Sequence, residues 1–269
     1  MDINRLIIKT KKDIFSKSSG IFSAKTAGEG YDFYELKEYD LNSDARKIDW
    51  LISAKMQKPY VRVYQEEKLR NIVIIFLLSG SLFFGAKRLK LETLVEIFLL
   101  LGFSALKERE KLTAIEKNNL KYIKNFFDLE DFAKNIDNKN IIGLKPDFKD
   151  INELFYKIRE KSLIVFLGDF LYEIDLSLFA KKHEVIAFVA RDSIEKGFYK
   201  DLEFESVDNE SLKKSSLSLR GKDFKTYGKN IEKVLDKNYI NFRKNGIDFL
   251  EIFDIDDTFL KLNRFFIGR

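Results

Sequence analysis

The chain has 269 residues, 45% of them hydrophobic, and it contains no cysteine. Disulfides, thiolate zinc sites and cysteine nucleophiles are therefore excluded, and a cytoplasmic location is the natural expectation. The 48 basic and 43 acidic residues are interleaved along the chain, so we expect no nucleic-acid binding. Charged residues interrupt every apolar run before it reaches the roughly 18 residues of a membrane span, and the N-terminus lacks a secretory signal pattern.

The first part of the chain, residues 1–69, is predicted to form a small N-terminal segment that contains β-structure. Apolar residues at helical spacing predict a short surface helix over residues 1–17. Aromatic or branched residues alternate with charged ones over residues 31–39 and 60–65, which predicts two strands. The segment 41–50 between them is polar.

The run NIVIIFLLSGSLFFG, residues 71–85, is predicted to begin the main domain with a buried strand. It then turns through Ser79, Gly80 and Ser81 toward an amphipathic helix over residues 89–107. In open α/β sheets ligands bind at this carboxyl end of a strand, and a Ser-x-Ser loop offers two hydroxyl oxygens to a hard cation. Leu77 stands where such a loop needs an acidic ligand.

The remaining elements predict an α/β fold for residues 70–269, with a mostly parallel central sheet and helices on both faces. Short apolar strands alternate with amphipathic helices along this part of the chain. Their predicted ranges are a hairpin at 111–116 and 120–124 with an Asn-rich turn, strands at 163–167, 183–189 and 247–253, and helices at 148–159, 176–182, 227–244 and 258–266.

Residues 28–67 resemble the signature of domain-of-unknown-function family fifty-eight, a bacterial family that pairs it with a von Willebrand factor A-like domain. The resemblance continues through the Ser-x-Ser loop, the sequence GDF at 168–170 and the ending LNRFFIGR. It implies a von Willebrand factor A-like, Rossmann-like fold for the main domain. The matching signature residues are Gly28, Gly30, Phe33, Glu38, Tyr39, Asp44, Arg46, Ile48, Asp49, Trp50, Ala54, Arg62 and Glu67.

The resemblance also implies a metal-ion-dependent adhesion site made by an Asp-x-Ser-x-Ser loop, a threonine and a second aspartate. Ser79, Ser81 and Asp169 match three of these ligands. Leu77 departs from the pattern, and the region GLKPD at 143–147 has no threonine. We therefore expect a degenerate site without Mg²⁺ or Mn²⁺, in which the two serines are turn or cap residues and Asp169 caps the following segment.

Two interpretations of the signature remain open. Arg46 and Asp49 beside Trp50 favour an ion pair that staples the N-terminal segment to the main domain. Tryptophan and arginine are also common interface anchors, which is typical of a partner-binding epitope. Arg62 and Glu67 belong to the same signature.

The sequence favours a protein that is not an enzyme. His183 is the single histidine, it is predicted at the start of a strand, and no Gly-x-Ser-x-Gly elbow accompanies it. Asp256 or Asp257 is predicted to cap the last helix. A hydrolase that uses Asp169 remains a third alternative.

The leading hypothesis is a protein-interaction module that binds through the loops at the carboxyl edge of the sheet. The resemblance implies a MoxR-type ATPase as the partner and a role in assembling or remodelling protein complexes. The alternative is a divalent-cation-dependent ligand-binding domain, in which a partner carboxylate completes the coordination by Ser79, Ser81 and Asp169.

Overall fold

The fold is given by a computed structural model. It divides into two units, one of residues 25–69 and a larger one of residues 1–24 and 70–269. The first helix thus belongs to the larger unit, although the sequence analysis grouped residues 1–69 together. The structure describes residues 2–16, 33–40, 45–64, 70–144, 149–196, 206–207, 214–215 and 221–269.

The helices and strands are numbered in chain order over the described residues. The helices are α1 (Ile3–Ser16), α2 (Trp50–Met56), α3 (Lys90–Lys107), α4 (Phe126–Asp137), α5 (Lys149–Lys157), α6 (Ser177–Ala180), α7 (Gly221–Lys244) and α8 (Thr258–Ile267). The strands are β1 (Phe33–Glu38), β2 (Tyr60–Tyr64), β3 (Asn71–Phe76), β4 (Lys111–Glu116), β5 (Asn119–Ile123), β6 (Leu163–Gly168), β7 (Glu184–Arg191), β8 (Ser206–Val207), β9 (Lys214–Ser215) and β10 (Asp248–Phe253).

The smaller unit contains an antiparallel pair of strands, β1 and β2, in which Glu38 lies opposite Tyr60. The helix α2 comes between them and was not predicted. The carboxylate of Asp49 caps its first turn by accepting hydrogen bonds from the amides of Leu51 and Ile52, both at 3.0 Å. The helix ends after two turns at Gln57, whose φ is 55°.

The larger unit is built on a six-stranded sheet in the order β5-β4-β3-β6-β7-β10. All neighbouring pairs are parallel except β4 and β5. That pair forms the predicted hairpin, and Glu116 lies opposite Asn119 across a two-residue turn. Lys117, rather than an asparagine, takes the positive φ of that turn. The mostly parallel α/β fold predicted from the sequence is confirmed.

Helices cover both faces of this sheet, because successive residues of its buried strands point to opposite sides. In β3, Ile72, Ile74 and Phe76 join a core that includes side chains of α1, α3, α4 and α8. Val73 and Ile75 join the second core with side chains of α5, α6 and α7. A strand buried on both faces must be apolar throughout, which explains the run of five apolar residues.

The helix α3 is buried along nearly its whole length, between the sheet and the helices α1, α4 and α8. Gly102 allows the close approach of α4, since a Cβ atom there would lie 2.4 Å from the side chain of Leu129. The position of α3 matters for function because its first residue, Lys90, lies at the carboxyl edge of the sheet beside Asp169.

The helix α4 was also missed, although its signals are present in the sequence. Leu129, Phe132, Ala133 and Ile136 have helical spacing and are buried, and Asn125 caps the first turn. Within the described part of the chain, none of the helices combines the length and the hydropathy needed to cross a membrane.

Candidate functional site

The three predicted metal ligands meet at the carboxyl edge of the sheet. Ser79 and Ser81 follow β3, and Asp169 follows the neighbouring strand β6. The hydroxyl oxygens of the two serines are 2.7 Å apart, and Ser81 donates a hydrogen bond of 2.5 Å to Oδ2 of Asp169. Leu77 instead packs into the second core, as expected for an apolar residue, and contributes no oxygen.

A lysine ammonium lies among these groups. Lys90 is the first residue of α3, and its side chain is 1% exposed. Its Nζ is 3.8 Å from Oδ2 of Asp169 and forms an ion pair with Glu195, which follows β7. The ring of Phe84 adds a cation–π contact, with 5.8 Å between Nζ and the ring centroid. A cation is therefore already present beside the predicted ligand oxygens.

A second buried cation, Arg191, lies at the end of β7. Arg191 is buried and its Nε lies 2.6 Å from Oε2 of Glu195, while its other arm pairs with Glu251 of β10. Burial alone would raise the pKa of Glu195, but Lys90 and Arg191 outweigh burial and lower that pKa. The two cations, Lys90 and Arg191, are thus in contact with three carboxylates, those of Asp169, Glu195 and Glu251.

Backbone amides of the loop between Ser79 and α3 donate hydrogen bonds to carboxylates at the ends of other strands. The amide of Ala86 donates to Asp192 at 2.7 Å, and the amide of Lys87 donates to Asp254 at 3.3 Å. Both carboxylates are buried, and burial raises the pKa of Asp192. The turn at Gly85 is tight, because a Cβ atom there would lie 1.9 Å from a backbone oxygen. The loop therefore joins the ends of β3, β7 and β10.

These residues do not fit a divalent cation. Mg²⁺ requires oxygen ligands at about 2.0–2.1 Å and fixed carboxylate charge, and here Asp169 already faces Lys90. Two unit charges 4 Å apart interact with about 4 kcal/mol at an effective dielectric constant of 20, so the repulsion between Lys90 and a divalent ion is about twice that. Of the segment 143–147, where the resemblance implies a threonine, residues 145–147 lie outside the described residues.

His183 has the environment of a core histidine. It is buried, its ring contacts Phe155 edge to face, and neither nitrogen has a hydrogen-bond partner among the described residues. Burial and the nearby Lys182 lower the pKa of His183. At the C-terminus, Asp257 caps α8 by accepting from the amide of Leu260 at 3.0 Å, as predicted.

The family signature places its aromatic residue on the surface. Trp50, at the start of α2, is 72% exposed and the adjacent Leu51 is 70% exposed. Met56, at the end of the same helix, is 56% exposed. Arg46 is exposed and Asp49 is half-buried. The side chain of Arg62 and the whole of Glu67 lie outside the described residues.

A cavity of about 870 Å³ lies at the opposite, amino-terminal edge of the sheet. Its walls include the first residues of β3 and β4, much of β5 and the segment after α5. Basic side chains outnumber acidic ones: Arg109, Lys111, Lys124, Lys157 and Arg159 against Glu110 and Glu160. This cavity could not be predicted from the sequence, because its lining comes from separate segments of the chain.

The comparison with known families matches residues 35–227 to the family described as "Protein of unknown function DUF58". The chain belongs to the DUF58 family. The match extends from β1 into α7 and so includes residues 35–67 of the signature, the serine loop and the segment with Asp169 and Glu195. This is the family whose signature residues 28–67 resemble. No curated protein matches the chain.

In this DUF58 protein Ser79, Ser81 and Asp169 could be predicted from local sequence patterns, whereas Lys90 and Glu195 were not predicted. Lys90 is one charged residue among several at the start of α3, and lysine is rarely fully buried. Glu195 belongs to a 3-10 turn that was not predicted. One sequence signal was available, namely Leu77. Because the loop has no carboxylate at this position, it suits a cation of lower charge than a divalent ion, such as a lysine ammonium.

Proposed function

We propose that this DUF58 protein, which combines the smaller unit with a von Willebrand factor A-like domain, is a non-enzymatic protein-interaction module whose binding surface is α2 of the smaller unit. The observation that carries the proposal is the exposure of Trp50 and Leu51 side by side, at 72% and 70%. Aromatic anchors of this kind dominate binding energies at protein interfaces. The exposure of these side chains supports the partner-binding interpretation of the signature.

The sheet's carboxyl edge is less suited to binding a partner. The proposed surface on α2 therefore differs from the loops at the carboxyl edge that were predicted from the sequence. Ser79, Asp169, Lys90 and Glu195 are all buried, and they form hydrogen bonds and ion pairs with one another, with Ser81 and with Arg191. A partner carboxylate would have to displace these internal contacts. The buried charges therefore support binding that does not depend on a metal ion.

We propose a MoxR-type ATPase as the partner, because the family resemblance implies that class. The chemistry of α2 limits the surface that such a partner would present. Trp50, Leu51 and Met56 require an apolar pocket, and the exposed Lys55 in the same helix favours acidic residues around it. The role would be assembly or remodelling of other complexes by the ATPase.

The proposal is tested by measuring the affinity of the full chain for a purified MoxR-type ATPase of the same organism. Nucleotide-free ATPase is titrated by calorimetry in buffer with EDTA and in buffer with Mg²⁺. We expect equal affinity in both buffers and at least a tenfold loss with Trp50→Ala, in line with hot-spot tryptophans. Far-UV circular dichroism establishes that the variant is folded.

Phe127→Ala is the matched control, because Phe127 is an aromatic residue of α4 that is 76% exposed. We expect this variant to bind like the wild type. Equal affinity of Trp50→Ala and the wild type would contradict the proposed surface. Binding that disappears with EDTA and returns with Mg²⁺ or Mn²⁺ would instead support the cation-dependent alternative.

A further inference from the structure

We propose that Lys90 is a built-in cation that takes the position of a divalent ion beside Ser79, Ser81 and Asp169, and that removing its ammonium converts this site into one that binds a divalent ion. The proposal concerns the buried carboxyl edge of the sheet. It is independent of the partner-binding role of α2.

The geometry gives the first argument. Ser79 and Ser81 are in hydrogen-bonding contact, Ser81 donates to Asp169, and the ammonium of Lys90 lies 3.8 Å from the same carboxylate oxygen. Glu195 pairs with the ammonium from the next loop. Two hydroxyl groups and two carboxylates thus form one connected cluster with the ammonium, and hydroxyl and carboxylate oxygens are the ligand types that a hard metal ion prefers.

The position of Lys90 gives the second argument. It is the first residue of a long helix, where the helix dipole disfavours a positive charge. A fully buried lysine requires paired carboxylates, and Asp169 and Glu195 meet that requirement. The lysine therefore lies where both burial and helix position oppose its charge, which points to a specific electrostatic role.

Charge balance gives the third argument, and it links Lys90 to Leu77. A serine loop that binds a divalent ion needs a carboxylate at position 77, but here that residue is leucine. Replacing a divalent ion by an ammonium removes one positive charge, and replacing a carboxylate by leucine removes one negative charge. The two departures compensate each other and leave the charge of the site unchanged.

The test is a titration with Mn²⁺ followed by electron paramagnetic resonance, which measures free Mn²⁺ directly. We expect the wild type to show no saturable binding at Mn²⁺ concentrations up to about 1 mM, which is the range of dissociation constants of weak Ca²⁺ sites. Lys90→Ala should bind one Mn²⁺ at least tenfold more tightly than the wild type. Adding Asp169→Asn to Lys90→Ala should reverse this gain at least tenfold.

Lys237→Ala is the matched control, because it removes the same charge from an exposed ion pair with Glu173. It should bind Mn²⁺ no better than the wild type. The proposal is overturned if Lys90→Ala binds no more tightly than Lys237→Ala, or if the wild type binds as tightly as Lys90→Ala. Neither result would affect the proposed role of Trp50, which is measured by affinity for the ATPase.

The charge left by Lys90→Ala could prevent folding in chelator. In that case the far-UV circular dichroism of the variant is measured while Mn²⁺ is added. Recovery of the helical signal in Lys90→Ala, but not in the double variant with Asp169→Asn, supports the proposal. A failure of Mn²⁺ to recover Lys90→Ala overturns it.

Discussion

The two ends of α3 carry charges of the sign that the helix dipole disfavours, and the protein accommodates them differently. Lys90 begins the helix and is matched by two carboxylates within the core. Glu108 caps the other end, where burial and then the nearby Glu110 raise its pKa to about 7. One of its carboxylate oxygens is buried without a hydrogen-bond partner among the described residues.

At the two ends of α3, contact with a counter-charge distinguishes the group that keeps its charge from the group that does not. Lys90 keeps its charge through Asp169 and Glu195, whereas Glu108 is partly neutralised by protonation near neutral pH. Glu96, between the two ends, follows the first pattern. It accepts from Lys9 at 2.6 Å and also from Arg88 and Thr258, which lie on separate elements.

The largest loss of stability is expected at the N-terminal end of α3, where Lys90 is paired with Glu195. Glu195→Ala leaves Lys90 and Arg191 buried without a shared counter-charge, and breaking such a pair costs about 3–5 kcal/mol. The free energy of unfolding from urea titrations measures the loss. Glu173→Ala, in an exposed pair, is the control and should leave stability unchanged. A loss below about 1 kcal/mol for Glu195→Ala would contradict a compensating role.

A smaller effect is expected for Glu96→Gln, because hydrogen bonds to a charged group contribute about 1.5–3 kcal/mol each to stability. We expect a loss of about 2 kcal/mol at pH 7. Burial opposes ionisation, but Arg88, Lys9 and Thr258 outweigh it, so the folded pKa of Glu96 lies below its ordinary 4.5. The stabilisation is therefore present above pH 4.5 and is lost as the pH falls through the folded pKa. Urea titrations at several pH values measure it, and a difference from the wild type that persists in acid would contradict this account.

The smallest effect, and one of opposite sign, is expected for Glu108→Gln. The folded pKa of about 7 exceeds the ordinary 4.5, so wild-type stability from this group is full below pH 4.5 and falls as the pH rises through 7. Because Glu108 is partly exposed, we expect the variant to gain only about 1 kcal/mol at pH 8 after allowance for solvent screening. The gain should vanish at pH 4. Equal stability of the variant and the wild type at pH 8 would show that the ionised form of Glu108 does not destabilise the fold.

The sequence was sufficient for most of the larger unit, because its strands are continuous apolar runs and its helices have wide apolar faces. The predicted helix 89–107 differs from α3 by one residue at its start. The two helices that were missed, α2 and α4, depend on caps by Asp49 and Asn125. Such caps are single residues with weak signals, and short helices beside them are easily interpreted as loops.

The candidate site was predicted only in part, for a physical reason. Ser79, Ser81 and Asp169 belong to local patterns at strand ends, which a sequence displays directly. Lys90 and Glu195 act through a contact between distant parts of the chain, and no local pattern separates a buried lysine from a solvated one. The exposure of Trp50 was likewise not fixed by its neighbours in sequence.

The pairing of Lys90 also bears on the order in which the protein can be completed on the ribosome. Asp169 and Glu195 are synthesised after all of α3. Until both have emerged, α3 can enter the core only by burying an uncompensated ammonium, which is strongly unfavourable. We therefore expect the larger unit to close as a whole, with β6 and β7 delivering the two carboxylates, rather than element by element from its N-terminus.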